Sequence, residues 1–165
     1  MSSPRSDFGR VYEEHVWRVY GFLAYRVQDR ATREDLTQTT FERALRAWSR
    51  FDARRGSEGA WLMRIAHNVF IDHVRRERPR ASVPLEHTMH PSEPGPEKQL
   101  EGSPHLHAAL EQLSDRDREV IALRFGGDLS GQEIAQMLDL TLANVQQIVS
   151  RSLRKLRSLL ETQPS

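Results

Sequence analysis

The 165-residue chain contains no cysteine. That excludes disulfides, thiolate zinc sites and cysteine nucleophiles together. No apolar run approaches the roughly 20 residues that span a bilayer, and the N-terminal Met1–Arg5 stretch is followed by nothing of signal-peptide type. A soluble, cytoplasmic protein is the expectation, without membrane insertion. Aromatic residues make up only 7% of the chain, and the formal net charge is +1. A balance so close to zero is unusual for a nucleic-acid binder, so the placement of charge matters more than its sum.

The placement is uneven. Residues 1–78 hold 15 Lys and Arg against 11 Asp and Glu. Residues 79–105 are acidic, with 2 against 4, and residues 106–165 hold 7 against 8. Within that last part, Gln146–Leu160 carries Arg151, Arg154, Lys155 and Arg157 and no acid. Clustered bases keep nucleic acid in play as a partner.

Proline marks the organisation. Six of the eight prolines fall between Pro79 and Pro104, a composition of extended linker rather than packed structure. The chain thus divides into an N-terminal unit (7–78), a flexible Pro-rich linker (79–103) and a C-terminal unit (104–161). Two cores this small are thin, so a docked partner adds stability.

The N-terminal unit reads as three helices. Phe8, Val11, Tyr12, Val16, Val19 and Phe22 recur at helical spacing over Asp7–Val27. A second helix is predicted over Arg33–Trp48, with Thr32 and Asp35 as a capping box and Leu36, Phe41, Ala44, Leu45 and Trp48 as its buried stripe. After a loop at 51–56, a third runs over Glu58–Arg78, capped by Ser57. Trp61, Leu62, Ile65, Ala66, Val69 and Val74 should face inward, and the basic end (Arg75, Arg76, Arg78) suits the helix dipole. The C-terminal unit carries four helix starts: Ser103 before Pro104, Ser114 with Asp117, Ser130 with Glu133, and Thr141. Gly126-Gly127 should end the second of them. The predicted fold is therefore all-α, a three-helix domain and a four-helix domain joined by the linker.

The sharpest local signal is Ser130–Leu156. A short helix, a tight turn at Asp139-Leu140-Thr141 and a longer helix form a helix-turn-helix pattern, with Ala135 at the closest approach and Leu140 and Val145 as apolar locks. In such a motif the start of the second helix enters the major groove. Thr141, Asn144, Gln146 and Gln147 lie there, and amides suit bidentate contact with adenine. Arg151, Arg154 and Lys155 would follow the phosphates. A second candidate face lies on the third helix, where Arg64, Asn68 and Asp72 are spaced four apart. Trp61, one turn earlier, could stack on an unpaired base, although a core role suits it better. Histidines are scattered. His67 and His73 flank Asp72, His87 and His90 sit in the linker, and His105 and His107 follow it. None of these pairs has the i, i+4 spacing of a zinc helix, so no metal, cofactor or catalytic residue is expected.

These segments resemble the extracytoplasmic-function (ECF) sigma factors of bacteria. The residues that carry the resemblance are Asp35-Leu36-Thr37-Gln38, Phe41, Ala44, Trp48, Phe51-Asp52, Arg55-Gly56, Ala60-Trp61-Leu62 and Arg64 through Asn68 to Arg76. In the second unit they are Leu113-Ser114, Arg118-Glu119-Val120, Leu123-Arg124-Phe125, Leu129-Ser130, Glu133-Ile134-Ala135 and Val145. The resemblance implies an initiation factor without enzymatic activity, partnered by core RNA polymerase (its clamp and flap regions), by promoter DNA and by an anti-sigma factor. It implies that Arg54, Arg55, Trp61, Arg64, Asn68, Asp72, Arg75 and Arg76 meet the melted −10 element. Thr141, Asn144, Gln146, Gln147, Arg151, Arg154 and Lys155 would meet the −35 duplex, and Asp35, Leu36, Thr37 and Gln38 the polymerase clamp. The family often has Lys and Arg where this chain has Gln146 and Ile148, and Gly where it has Asp139. Fewer cations imply weaker phosphate attraction and a shallower salt dependence. The competing reading is a stand-alone helix-turn-helix regulator, which would ordinarily dimerise on paired half-sites.

Overall fold

The computed structural model describes residues 4–77 and 104–162, and the linker expected at 79–103 lies outside them. The described residues are helical, with no strand among them, as the periodicity predicts. In chain order they form α1 (Pro4–Arg26), α2 (Arg30–Ala47), a 3-10 turn (Trp48–Arg50), α3 (Glu58–Glu77), α4 (Pro104–Glu111), α5 (Asp115–Ile121), a π turn (Ala122–Gly126), α6 (Gly131–Leu138) and α7 (Leu142–Glu161).

Most starts are capped where short polar side chains foretell it. Ser57 Oγ accepts from the Ala60 amide, Ser114 from Asp117, and Thr141 from Asn144. Ser130 and Glu133 form a reciprocal capping box, which satisfies two amides left over at the helix start. The start of α2 is different. Its cap is Asp29, whose carboxylate accepts from the Thr32 amide, so the helix begins at Arg30 and Thr32 lies inside it. Asp is as good a cap as Thr, and here it stands one turn earlier. The Gly126-Gly127 pair ends its helix through a π turn, in which the Gly127 amide donates to the Ala122 carbonyl.

One apolar core runs through both helical groups. Val11, Phe22, Leu23, Leu62, Met63 and Val69 are buried together with Val120, Leu123, Leu129, Ile134 and Ile148. A smaller cluster joins Leu110, Leu113 and Ile121 to Leu156 of α7. Three residues expected inside are exposed: Tyr12 at 46%, Leu45 at 47% and Val74 at 38%. Tyr12 and Leu45 border one groove, and Val74 lies in the last turn of α3. Met63 and Phe70 are buried on α3 in addition to the predicted stripe.

Candidate nucleic-acid interface

The helix-turn-helix is built by α6 and α7. Ala135 is buried against the second helix, and the Asp139 and Leu140 amides both donate to its carbonyl. Asp139 itself adopts the left-handed conformation, φ 57° and ψ 49°. Glycine is the easiest residue there, and Asp is among the few others that tolerate it. Val145 and Ile148 turn into the core, at 1% and 2% exposure. That corrects the reading of Ile148 as a lost cation of the recognition surface, because its position on α7 faces α6 and not solvent.

The opposite face of α7 is open. Thr141, Asn144, Gln146 and Gln147 are all exposed at its first turns. The helix start adds backbone amides and the positive end of the dipole to that surface. Farther along, Arg151, Arg154 and Lys155 are exposed, but two of them are engaged. Arg151 grips the Asp117 carboxylate through two nitrogens, at 2.8 and 3.3 Å, and Lys155 Nζ donates to the Gln112 carbonyl at 2.8 Å. The Arg151 hydrogen bonds hold the Asp117 carboxyl below the usual carboxylate range, against the opposing effect of burial.

The second surface is the loop at 51–57 with α3. Phe51 stacks on Trp48, centroids 5.2 Å apart and 7° from parallel, and both rings touch Trp61 at 5.2 and 5.8 Å. This aromatic cluster pins the loop to α3 and gives Trp61 the supporting role that its spacing suggests. Arg54 is exposed and bonded to Asp52, which lowers the Asp52 carboxyl, and Arg55 is exposed beside it. Arg64 and Asn68 share one exposed face of α3, while Asp72 is half-buried and paired with Arg43 of α2 at 3.1 Å. Arg75 and Arg76 are exposed at the end of the helix.

The third surface is α2. Asp35 and Gln38 are exposed, whereas Leu36 and Thr37 are buried at 3% and 8%. The Thr37 hydroxyl donates to the Arg33 carbonyl. Leu36 and Thr37 thus support the helix from within. What lies on the outside is a groove of about 750 Å³ between α1 and α2, lined among others by Tyr12, Trp17, Gln38, Glu42 and Leu45. Tyr12, Trp17 and Leu45 are each more than 40% exposed. Adjacent exposed apolar side chains with a polar rim mark a docking surface. Tyr12 and Leu45 were legible only as parts of an apolar stripe, since spacing alone does not say which edge of a stripe a neighbour covers.

Among the described residues no two histidines share a candidate metal set, and the one group close enough to hold a cation is Glu14, His15 and Glu58. His67 of α3 pairs with Glu119 of α5. His15 lies within reach of Glu14 and Glu58, but its Nδ1 is 3.2 Å from Arg18 and Arg10 occupies the Glu58 carboxylate. The Arg10 hydrogen bond is the main cause of a lowered Glu58 carboxyl.

A helix-turn-helix with an open amide-bearing end, joined to a second group with a basic helix and an apolar groove, defines a DNA-reading protein that also docks on a protein partner. Residues 11–80 match the sigma-70 region 2 family and residues 109–158 the sigma-70 region 4 family. The ECF RNA polymerase sigma factor SigX of Bacillus subtilis is 31% identical over 93% of this chain and 84% of its own length. BldN of Streptomyces coelicolor, another ECF sigma factor, is 34% identical over 93% of this chain, which spans 60% of that relative's length. The fold superposes on the sigma factor RpoE of Bartonella quintana, solved in complex with the anti-sigma factor NepR. The TM-score is 0.75 at 25% identity, covering 96% of this chain and 99% of that one. The chain belongs to the ECF sigma factors of bacterial RNA polymerase. No helix among the described residues is long and apolar enough to cross a membrane.

Proposed function

We propose that the chain binds core RNA polymerase and supplies promoter recognition and melting in two parts. The first turns of α7 read the −35 element as duplex, with Asn144 and Gln147 on base edges and Thr141 and Gln146 beside them. Arg154 meets phosphate directly. Arg151 and Lys155 do so on exchanging their internal partners, Asp117 and the Gln112 carbonyl, for DNA. The loop at 51–57 and the Arg64–Asn68 face of α3 receive the melted −10 strand, with Arg54, Arg55, Arg75 and Arg76 drawing its backbone and Asp72 bordering the face. Trp61 acts from beneath, by holding Phe51 and Trp48 in register.

Polymerase docks on α2 through Asp35, Gln38 and the adjoining groove, seated on Leu36 and Thr37, while the flap region takes the C-terminal helices. An anti-sigma factor competes for these faces. Its support is the superposition of both helical groups, over nearly the whole chain, on a sigma factor held by one. The protein works in the cytoplasm as a binding factor and carries out no chemistry of its own.

The observation that carries this reading is the opposed placement along α7: Val145 and Ile148 locked inward, Asn144 and Gln147 exposed on the outer face. Two amides on adjacent turns can each discriminate a base by about 1–3 kcal/mol. The test is in vitro transcription with core polymerase on a promoter library. The Asn144→Ala, Gln147→Ala double variant should lose its preference among −35 sequences while still binding polymerase. An unchanged ranking of promoters would refute the assignment.

A further inference from the structure

The start of α7 is not uniformly polar. Leu142, its first residue, is 38% exposed, and Ala143 beside it is exposed too. Other aliphatic residues close by behave differently: Leu140 and Val149 pack against the core, and Val145 lies within it. Helix formation does not call for a leucine at this place, because Thr141 supplies the cap by accepting from the Asn144 amide. A solvated leucine is by itself ordinary. Its position gives it a use, since the end of the helix that enters the groove is the one that carries it.

The Leu142 side chain is also held in place. It reaches across the turn to α6, whose first residue is Gly131. A Cβ on Gly131 would lie 3.0 Å from Leu142 Cδ1, tighter than ordinary van der Waals contact. Gly131 is thus a positioning residue, which leaves the room that the leucine occupies. A side chain already placed gives up less rotamer freedom on binding than a free one.

The floor of the major groove offers donors, acceptors and one apolar feature, the C5-methyl group of thymine. Amides such as those of Asn144 and Gln147 read the donors and acceptors, and an aliphatic side chain reads the methyl. We infer that Leu142 is a specificity-determining residue of the −35 contact, packing on the C5-methyl of one thymine beside the bases that the amides read. Cytosine at that place would turn its amino donor toward the leucine, without a partner and shut off from water, and is disfavoured. The inference rests on the reading of α7 as the −35 reader.

The test uses the full chain bound to core polymerase and the −35 duplex that ranks first in the promoter library. Each thymine of that element is replaced in turn by deoxyuridine, which removes the methyl and leaves every hydrogen-bonding group of the base. Affinities are measured by anisotropy competition. At one thymine the parent should bind the deoxyuridine duplex about fourfold more weakly, the worth of one buried methyl group. Leu142→Ala should bring that ratio to about one, with unchanged helical circular dichroism. Leu142→Gln, which keeps length but not apolarity, should do the same and serves where the alanine variant does not fold. A leucine that only supports the turn would weaken both duplexes alike and leave the ratio unchanged in the variants; that result overturns the inference. So does a parent that ranks −35 sequences yet is indifferent to every methyl, while the −35 reading itself stands. A parent that ranks no −35 sequences removes that reading, and the role of Leu142 with it.

Discussion

Replacing Ile148 by lysine distinguishes what the family pattern suggests from what the packing dictates. The family resemblance suggests a cation in this helix, so by pattern alone Ile148→Lys should strengthen DNA binding. In the structure Ile148 is 2% exposed and packs within the core shared with Ile134, Ala135 and Val145. Losing its burial costs about 2 kcal/mol. An ammonium with no buried partner costs several more unless its stem reaches solvent. A net loss of at least about 3 kcal/mol is expected, a large share of the roughly 5–15 kcal/mol that stabilises a domain. For a chain this long, that lowers the melting temperature by about 10 °C. The control is Gln146→Lys, at an exposed position two residues earlier. It should leave stability within about 0.5 kcal/mol and add one phosphate contact. The log–log salt slope would then steepen by about 0.9, so that affinity falls roughly 3.5-fold more steeply between 50 and 200 mM salt. Thermal melts by circular dichroism and anisotropy titrations of −35 duplex with the polymerase-bound protein report both. A stable Ile148→Lys protein that binds duplex more tightly would refute the burial argument.

Arg151→Ala should cost only modest stability in urea denaturation, because the Arg151 side chain is 56% exposed although its partner Asp117 is only 14% exposed, yet reduce the salt slope of −35 binding by about 0.9. An unchanged slope would confine Arg151 to its internal partner. Phe51→Ala removes the ring stacked on Trp48 and should weaken promoter opening, read as permanganate reactivity of −10 thymines, far more than polymerase binding. Equal losses in both would contradict a role confined to the loop. Burial pushes the Glu119 and Glu133 carboxyls up, but hydrogen bonds from His67 to the first, and from the Ser130 amide and Ser57 to the second, outweigh it and leave both below the ordinary glutamate value of 4.5. A depressed carboxyl stabilises the folded form above its unfolded value and loses that contribution as pH falls through the depressed one. As pH falls below 4.5 the radius of gyration should therefore rise before helicity falls; simultaneous loss would mean that these pairs do not hold the two groups together.

Much of the local structure was legible because its causes are local. Ser57, Ser114, Ser130 and Thr141 each cap the helix that follows them, since a short side-chain oxygen before an apolar stripe has few other uses. The start of α2 was misplaced because Asp29 and Thr32 are both competent caps one turn apart, and only the chain's exit from α1 decides between them. The π turn at 122–126 leaves no mark in the periodicity. Gly126 reads as a terminator, yet its missing side chain serves a helix from the other end of the sequence. The same holds for the groove. Tyr12 and Leu45 have the spacing of core residues, and whether a third element covers them is a property of the assembled fold.

What separated the legible from the illegible is sequence distance. The helix-turn-helix is specified within about thirty residues, and its exposed amides follow from which face of α7 the locks occupy. The packing of the two helical groups on each other depends on pairs such as Arg18 with Gly127 and Ser57 with Glu133, more than seventy residues apart, whose types are individually ordinary. Arginine donating to carbonyls and serine to a carboxylate are available to any surface; only the convergence of such pairs, from α1 and from the start of α3, on the C-terminal helices makes an interface. The side of α1 that takes part is distinct from the one lining the α1/α2 groove, so one helix can present a groove to a partner while retaining the chain's own second half. A strict two-faced helix of this kind constrains substitution on both edges. It also explains why a glycine, a weak helix former, sits inside the longest helix of the first group, five residues before its end at Arg26: at position 21 close approach of the crossing backbone at Gly126 outweighs helix propensity.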